Sequence, residues 1–328
     1  MTSLSQAQPV PPGPDHTLHP EEQALIQGQT QGQTQVNAVV QKMASAWNAE
    51  LSLQFGRTAR GTVLQRADHQ GPLYVQKAFY PEGPDLAQVY LLHPPGGLVS
   101  GDRLQITVKC CDDSHALLTT PGAGRVYRAR SDRALQHQIN TLHVGSGSSI
   151  EWLPLETILY PDACTRLDTH VNLTDDARFI GWEITSLGMP NQNLPFATGN
   201  LSQTLQITRN ERILLRERLQ IDDGSRALLD GSAGLRGNPV NGLMVAGPFA
   251  MPDKQTTEPL IDALVQQLRQ IVDECDALAA VSLTGEFMTI RYLGNQTDQA
   301  MKLFVRCWQV IRPQLLGREA CEPRIWAT

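Results

Sequence analysis

Residues Glu50–Phe55 read ELSLQF, with Leu51, Leu53 and Phe55 on every second position. That is the period of a half-buried strand, whose successive side chains point to opposite faces. It returns in Leu104–Val108, where Leu104, Ile106 and Val108 share a face. It returns again in Leu201–Ile207, where Leu201, Leu205 and Ile207 form a row broken by the polar Gln203. Clusters of Gly, Pro, Asn and Asp punctuate these runs at short intervals. Between Trp47 and Val245 no stretch keeps helical periodicity over three turns, and no fixed internal repeat is visible. The pattern predicts a mainly β fold: a sandwich, a barrel or a superhelical stack of strands.

The C-terminal third changes period. Leu243–Ala246 reads as a strand, and Glu258–Asp273 sets Leu260, Ile261, Leu264, Val265, Leu268, Ile271 and Val272 on one helical face. Ala279–Leu283 and Phe287–Leu293 flank Thr284-Gly285-Glu286 as a hairpin. Thr297 is a candidate cap for a helix bearing Ala300, Phe304, Trp308 and Ile311 and ended by Pro313. The prediction is a β-rich body over about 46–240 and a small α/β portion with two helices over about 241–328, packed on that body. Residues 1–45 are a different material, rich in Pro, Gln, Gly and Thr, as in IQGQTQGQTQ. They carry too few large apolar side chains to offset ordering entropy, which predicts a disordered N-terminal extension. Its His16 and His19 read as solvated.

Composition narrows the class. The 328 residues carry a net charge of -6 and are 41% hydrophobic, enough for a large core. A net negative chain is poorly suited to nucleic acid, where non-specific binding rests on lysine and arginine. The sequence has no apolar run of about 18 residues of the kind that spans a membrane. The six cysteines form no C-x-x-C pair and the N-terminus has no basic-then-apolar leader, so the reading is reduced thiols in a cytoplasmic protein.

Several segments suggest chemistry. Leu91–Asp102, LLHPPGGLVSGD, begins as a buried strand and breaks into a turn, with His93, Gly96, Gly97 and Gly101 before Asp102. Neither this stretch nor Thr120–Arg130, TPGAGRVYRAR, matches a nucleotide-binding loop, so turn chemistry is the better account. His93, Cys110, Cys111, His115, His137 and His143 are metal-ligand types, yet adjacent cysteines on a strand face opposite ways, so at most one joins a site with His115. No G-x-S-x-G elbow appears. The carboxylates say more. In Ile213–Ile221 one predicted strand face carries Ile213, Leu215, Glu217, Leu219 and Ile221, so Glu217 sits mid-row among apolar neighbours. An unpaired charge there is costly, and it needs either an arginine partner such as Arg125, Arg128 or Arg178, or a wet interior. Glu183 in GWEI (181–184) raises the same question. Asp102 reads first as a turn-fixing aspartate.

Taken in order, GPLYVQKAFYPEG (71–83), YLLHPPGGLVSGD (90–102), LLTTPGAGRVYR (117–128), EWLPLETI (151–158), GWEI (181–184), LLRERL (214–219) and PRIWAT (323–328) resemble the UreD (UreH) family of urease accessory proteins. The resemblance spans roughly residues 47–328. It implies a superhelical stack of β-strands with a pair of helices. It also implies a maturation factor without turnover of its own, which binds urease apoprotein and helps install its nickel centre. UreF and, through UreF, the GTPase UreG would be its partners. No cofactor would be tightly bound, and nickel would be in transit. Carried onto this chain, Asp102, Glu183 and Glu217 become candidate lining residues of a nickel channel, their oxygen ligands holding the ion loosely.

Three positions depart from the family pattern. Ser100 stands where glycine is more common, Leu155 replaces a common glutamine and Met189 a common arginine. Two other readings stand beside this one: a hydrolase using Asp102 with His93 or His115, and a plain interaction module with a structural polar interior.

Overall fold

The alternating runs become strands of a chain that winds back and forth between two sheets. The computed structural model describes residues 46–249 and 254–327, so the predicted extension 1–45, with His16 and His19, lies outside the described residues. Two antiparallel pairs come first, β1 (Asn48–Thr58) with β2 (Gly61–Gln70) and β3 (Tyr74–Phe79) with β4 (Leu86–Leu92). Then follow β5 (Arg103–Cys110), β6 (His115–Thr119), β7 (Gly124–Val126), β8 (Gln136–Val144), β9 (Ser149–Trp152), β10 (Thr157–Leu159), β11 (Cys164–Leu173) and β12 (Arg178–Met189). Next come β13 (Leu194–Pro195), β14 (Asn200–Arg209), β15 (Arg212–Ile221) and β16 (Val240–Gly247). The helix α1 (Lys254–Asp273), the strands β17 (Leu278–Thr284) and β18 (Phe287–Gly294), and the helix α2 (Thr297–Leu316) complete the order.

One sheet runs β15-β14-β11-β8-β5-β1-β2, parallel from β14 to β1. The other runs β17-β18-β16-β12-β9-β6-β4-β3, parallel from β12 to β4, with the short β7, β10 and β13 attached beside β12. Setting aside the short β7, β10 and β13, successive strands from β4 to β14 alternate between sheets, so each coil adds one strand to each. In register, Leu86 stacks on His115, His115 on Ser149 and Ser149 on Arg178. These steps differ in length along the chain, which is why the winding leaves no repeat in the sequence.

Leu51, Leu53, Phe55, Val108, Leu142, Val171 and Ile207 meet Ala87, Val89, Ala116, Ile150 and Phe179 in the core between the sheets. The second sheet is covered again on its far face. There Leu117, Ile180, Trp182, Met244 and Ile290 pack with Leu264 and Leu268 of α1 and Phe304, Trp308 and Ile311 of α2. Burial of each such side chain contributes about 1.5–3 kcal/mol. Because β16 pairs with β12, the C-terminal portion continues the second sheet.

Four local expectations shift. Leu260 is 69% exposed: the buried stripe of α1 is Ile261, Leu264, Val265, Leu268 and Val272, and Leu260 falls outside that arc. Helix α2 does not end at Pro313 but runs to Leu316, where Gly317 takes a left-handed conformation and donates to the Pro313 carbonyl at 3.0 Å. A proline near the end of a helix removes one hydrogen bond, which the buried face of α2 outweighs. Thr297 is the first helical residue; the extended Gln296 precedes it, with no side-chain cap. The hairpin is tighter than its sequence suggests, with Thr284 paired to Phe287 across Gly285-Glu286.

One polar cluster sits inside the second core. The fully buried Arg312 of α2 reaches Glu151 of β9 at 2.9 Å and Glu82 of the β3–β4 connection at 2.6 Å. Trp308 adds its indole N–H to Glu151 at 2.7 Å. Burial works against the Arg312 charge, but the two carboxylates more than offset it and its pKa is raised. Nearby, Trp326 of the terminal PRIWAT packs edge-on against Trp308 and tilted against Trp182, and donates to Thr119 at 2.8 Å. Replacing Arg312 by Met leaves Glu151 and Glu82 buried without a cation. The expected loss is about 3–5 kcal/mol in urea unfolding, with Arg312→Lys restoring only part because an ammonium has no planar fork. An unchanged midpoint for Arg312→Met would contradict this assignment.

Candidate functional site

A cavity of about 300 Å³ lies between the two sheets. Its mouth is formed by Pro121 and Gly122 of the loop before β7 and by Gly124 and Arg125 of β7 itself, all of them exposed. His93, Gly96 and Gly97 line one side. Gly97 is required there by close approach: a Cβ would stand 2.7 Å from the Arg125 carbonyl oxygen and from the Tyr127 ring.

The inner wall is polar because the strands that face it place polar residues in the inward phase. In β8 the inward row begins Gln136, Gln138, Asn140 and only then turns apolar at Leu142 and Val144. Gln138, Asn140, Thr169 of β11 and Gln203 of β14 face Glu183 and Thr185 of β12 across the cavity. They form one hydrogen-bonded file. Gln138 donates to Asn140 (3.2 Å), Asn140 to Thr169 (3.1 Å) and Thr169 to Glu183 (2.6 Å). From the other side Gln203 donates to Glu183 (2.8 Å) and accepts from Thr185 (3.1 Å). The break that Gln203 makes in its apolar row is therefore the partner of a carboxylate. Burial raises the Glu183 pKa, the bonds from Thr169 and Gln203 pull it back in part, and nearby Asp168 adds to the rise. Burial lowers the pKa of His93 in the same cavity, against a smaller opposing pull from Asp102.

The three candidate carboxylates are not brought together. Asp102, 2% exposed, lies behind the turn rather than in the cavity wall. Its two carboxylate oxygens accept the backbone N–H groups of Trp47 and Val99, each at 2.8 Å, which is the turn-fixing role. Gly101 before it has φ +93°, a conformation that favours glycine. Glu217 does face inward on β15, but at the sheet edge, and its partner is Arg291 of β18 at 2.6 Å rather than Arg125, Arg128 or Arg178. A bulge opposite Ile207 and Thr208 throws Ile213 out of the row, leaving it 50% exposed. Glu217 thus joins the two sheets at their open side and does not line the cavity.

The metal-ligand types stay apart as well. All six cysteines are free, and burial pushes the Cys110 thiol up to about 12. His115 pairs with Ser149 at 2.9 Å, and burial with Arg318 and Arg57 lowers its pKa to about 4. Among the described residues no three His, Cys, Asp or Glu side chains converge as a metal-holding group. No hydrogen bond among them joins Asp102 to His93 or His115. A second, more open depression of about 540 Å³ beside β13 has Asp230 as the ionisable side chain in its lining. Among the described residues no helix is long and apolar enough to cross a membrane. Sequence reasoning had found Glu183 but not Thr169, Gln138, Asn140 or Thr185. Their signal was polarity in the inward phase of otherwise apolar rows.

Fold and site together define a wound two-sheet β scaffold around a polar, carboxylate-bearing cavity. The chain belongs to the UreD family: the model for UreD urease accessory protein matches residues 48–327. It is 53% identical over 285 residues to the urease accessory protein UreD of Marinomonas sp. strain MWYL1, covering 87% of this chain and 91% of that one. The UreD proteins of Psychromonas ingrahamii and Dechloromonas aromatica are each 40% identical to it. The first covers 88% of this chain and 97% of its own, the second 86% and 95%.

The raised pKa of Glu183 sets a sign for stability. Its folded value lies above the ordinary 4.5, so the folded state binds the proton more tightly and its stability falls as pH rises from about 4.5 through the folded value. Glu183→Gln removes that loss. Urea midpoints measured at several pH values should show the variant gaining on the wild-type chain as pH rises and no gain near pH 4. A gap that ignores pH would contradict the assignment.

Proposed function

We propose that this chain is a non-catalytic scaffold in urease maturation that binds urease apoprotein and gives nickel a route past Glu183. The observation that supports it is the file Gln138, Asn140, Thr169, Glu183 and Gln203 inside a cavity that opens at the exposed loop before β7. One carboxylate among amide and hydroxyl oxygens holds a divalent ion weakly enough to release it, whereas a closed cysteine–histidine site would retain it. His93, kept neutral by burial, adds an imidazole nitrogen along the same wall. Arg125 at the mouth repels a bare cation, so entry is favoured once a partner's carboxylates neutralise that guanidinium. The chain works in the cytoplasm with UreF and, through UreF, with UreG. In this reading it turns over no substrate of its own; the hydrolase alternative needs Asp102 as a partner of His93 or His115, and the bonds Asp102 makes here are to the backbone N–H groups of Trp47 and Val99.

Co-expression with the urease subunits and accessory proteins is the test. Deleting this chain should leave urease inactive and poor in nickel, and Glu183→Gln should lower urease nickel content severalfold while the complex still assembles. Glu217→Gln, which touches only the Arg291 pair, should leave nickel content normal. Normal loading in the deletion strain would overturn the maturation role; normal loading with Glu183→Gln would overturn the route.

A further inference from the structure

Single exposed apolar side chains are ordinary on protein surfaces; a cluster fixed by a common anchor is not. Three of the large apolar side chains exposed among the described residues, Trp47 (51%), Val99 (39%) and Leu135 (46%), come from segments gathered around Asp102. Besides holding the N–H groups of Trp47 and Val99, Asp102 gives its carbonyl to His137 N–H at 2.9 Å. Gly101 donates to the Leu135 carbonyl at 3.2 Å, and Arg103 to the Trp47 carbonyl at 2.8 Å. Ser100, the residue that departs from glycine, accepts the Arg130 N–H at 2.7 Å. Three stretches far apart in sequence are thereby fixed side by side at the N-terminal ends of β1, β5 and β8.

The surroundings of this patch are cationic. Arg103, Arg130 and Arg133 are exposed beside it, and the Arg130 guanidinium lies 3.6 Å from where a Cβ on Gly101 would stand. The stretch Arg125–Arg133 carries four arginines and one aspartate in a chain whose net charge is -6. That aspartate, Asp132, lies 3.5 Å from Arg130. An indole and two aliphatic side chains ringed by arginines have the composition of an interface centre. The charge sets the partner. A second copy brings its own arginines to a two-fold contact, which is repulsive. A nucleic-acid duplex would leave the apolar centre unused and would meet a chain of like net charge.

We propose that Trp47, Val99 and Leu135, with Arg103, Arg130 and Arg133 around them, form a docking surface for an acidic protein segment bearing an apolar side chain. The proposal rests on the maturation role above in taking urease apoprotein as the partner that supplies the segment. The test titrates purified urease apoprotein onto the immobilised full-length chain at low and at moderate salt. Trp47→Ser with Leu135→Ser should weaken binding about tenfold or more. Arg103→Glu with Arg133→Glu should slow association and flatten its salt dependence. All four positions are exposed, so urea midpoints should stay near wild type and separate lost docking from lost folding. Wild-type binding that both double variants retain overturns the docking surface and leaves the maturation role standing. A wild-type chain that does not bind the apoprotein overturns both. A wild-type dimer dissolved by Trp47→Ser with Leu135→Ser, or duplex DNA binding abolished by the charge reversal while apoprotein binding persists, assigns the face elsewhere and also overturns the proposal.

Discussion

One buried guanidinium holds the architecture in register. Arg312 joins α2 to β9 through Glu151 and to the β3–β4 connection through Glu82, with no exposure at either Arg312 or Glu151. Desolvation of such a cluster costs about what the attraction returns, so its effect is on geometry rather than on net stability. Any slip of the helix strands buried charges. The consequence reaches the cavity directly, because β9 turns Glu151 toward the helices and Trp152 toward the space between the sheets. The helix, remote from the site, therefore fixes the strand that walls it.

The fold was legible where water touches it. The seven-stranded sheet keeps its outer face polar, so β1 and β5 show clean alternation in Leu51, Leu53, Phe55 and in Leu104, Ile106, Val108. The central strands of the second sheet are covered on both faces and read as near-continuous apolar runs such as Leu86–Leu92, broken by Gln88, from which neither pairing nor neighbours can be read. The Arg312–Glu151 contact, 161 residues apart, has no local signature at all.

The candidate site was legible in part for a related reason. Gln203 and Glu183 stood out as polar groups in apolar settings, and the structure joins them to one another. Glu217 stood out by the same logic but is satisfied by Arg291, a residue of another sheet that strand periodicity could not bring near. Asp102 shows the limit of carrying a family role residue by residue. Its own local chemistry, a carboxylate just after a glycine turn, pointed to backbone capping, and that is the contact it makes.

Under the proposed function the cavity between the sheets, with Glu183 in its wall, is a path and not merely a polar hollow. Its mouth can be closed without touching the file of polar side chains. A Cβ on Gly122, at the exposed rim, would meet nothing within 4 Å, so the position accepts a side chain, and tryptophan is the substitution that adds most bulk at the opening. The decisive measurement is the nickel content of urease matured with the Gly122→Trp chain. The account predicts nickel-poor urease bound to an otherwise normal complex; urease with its full nickel content would contradict it.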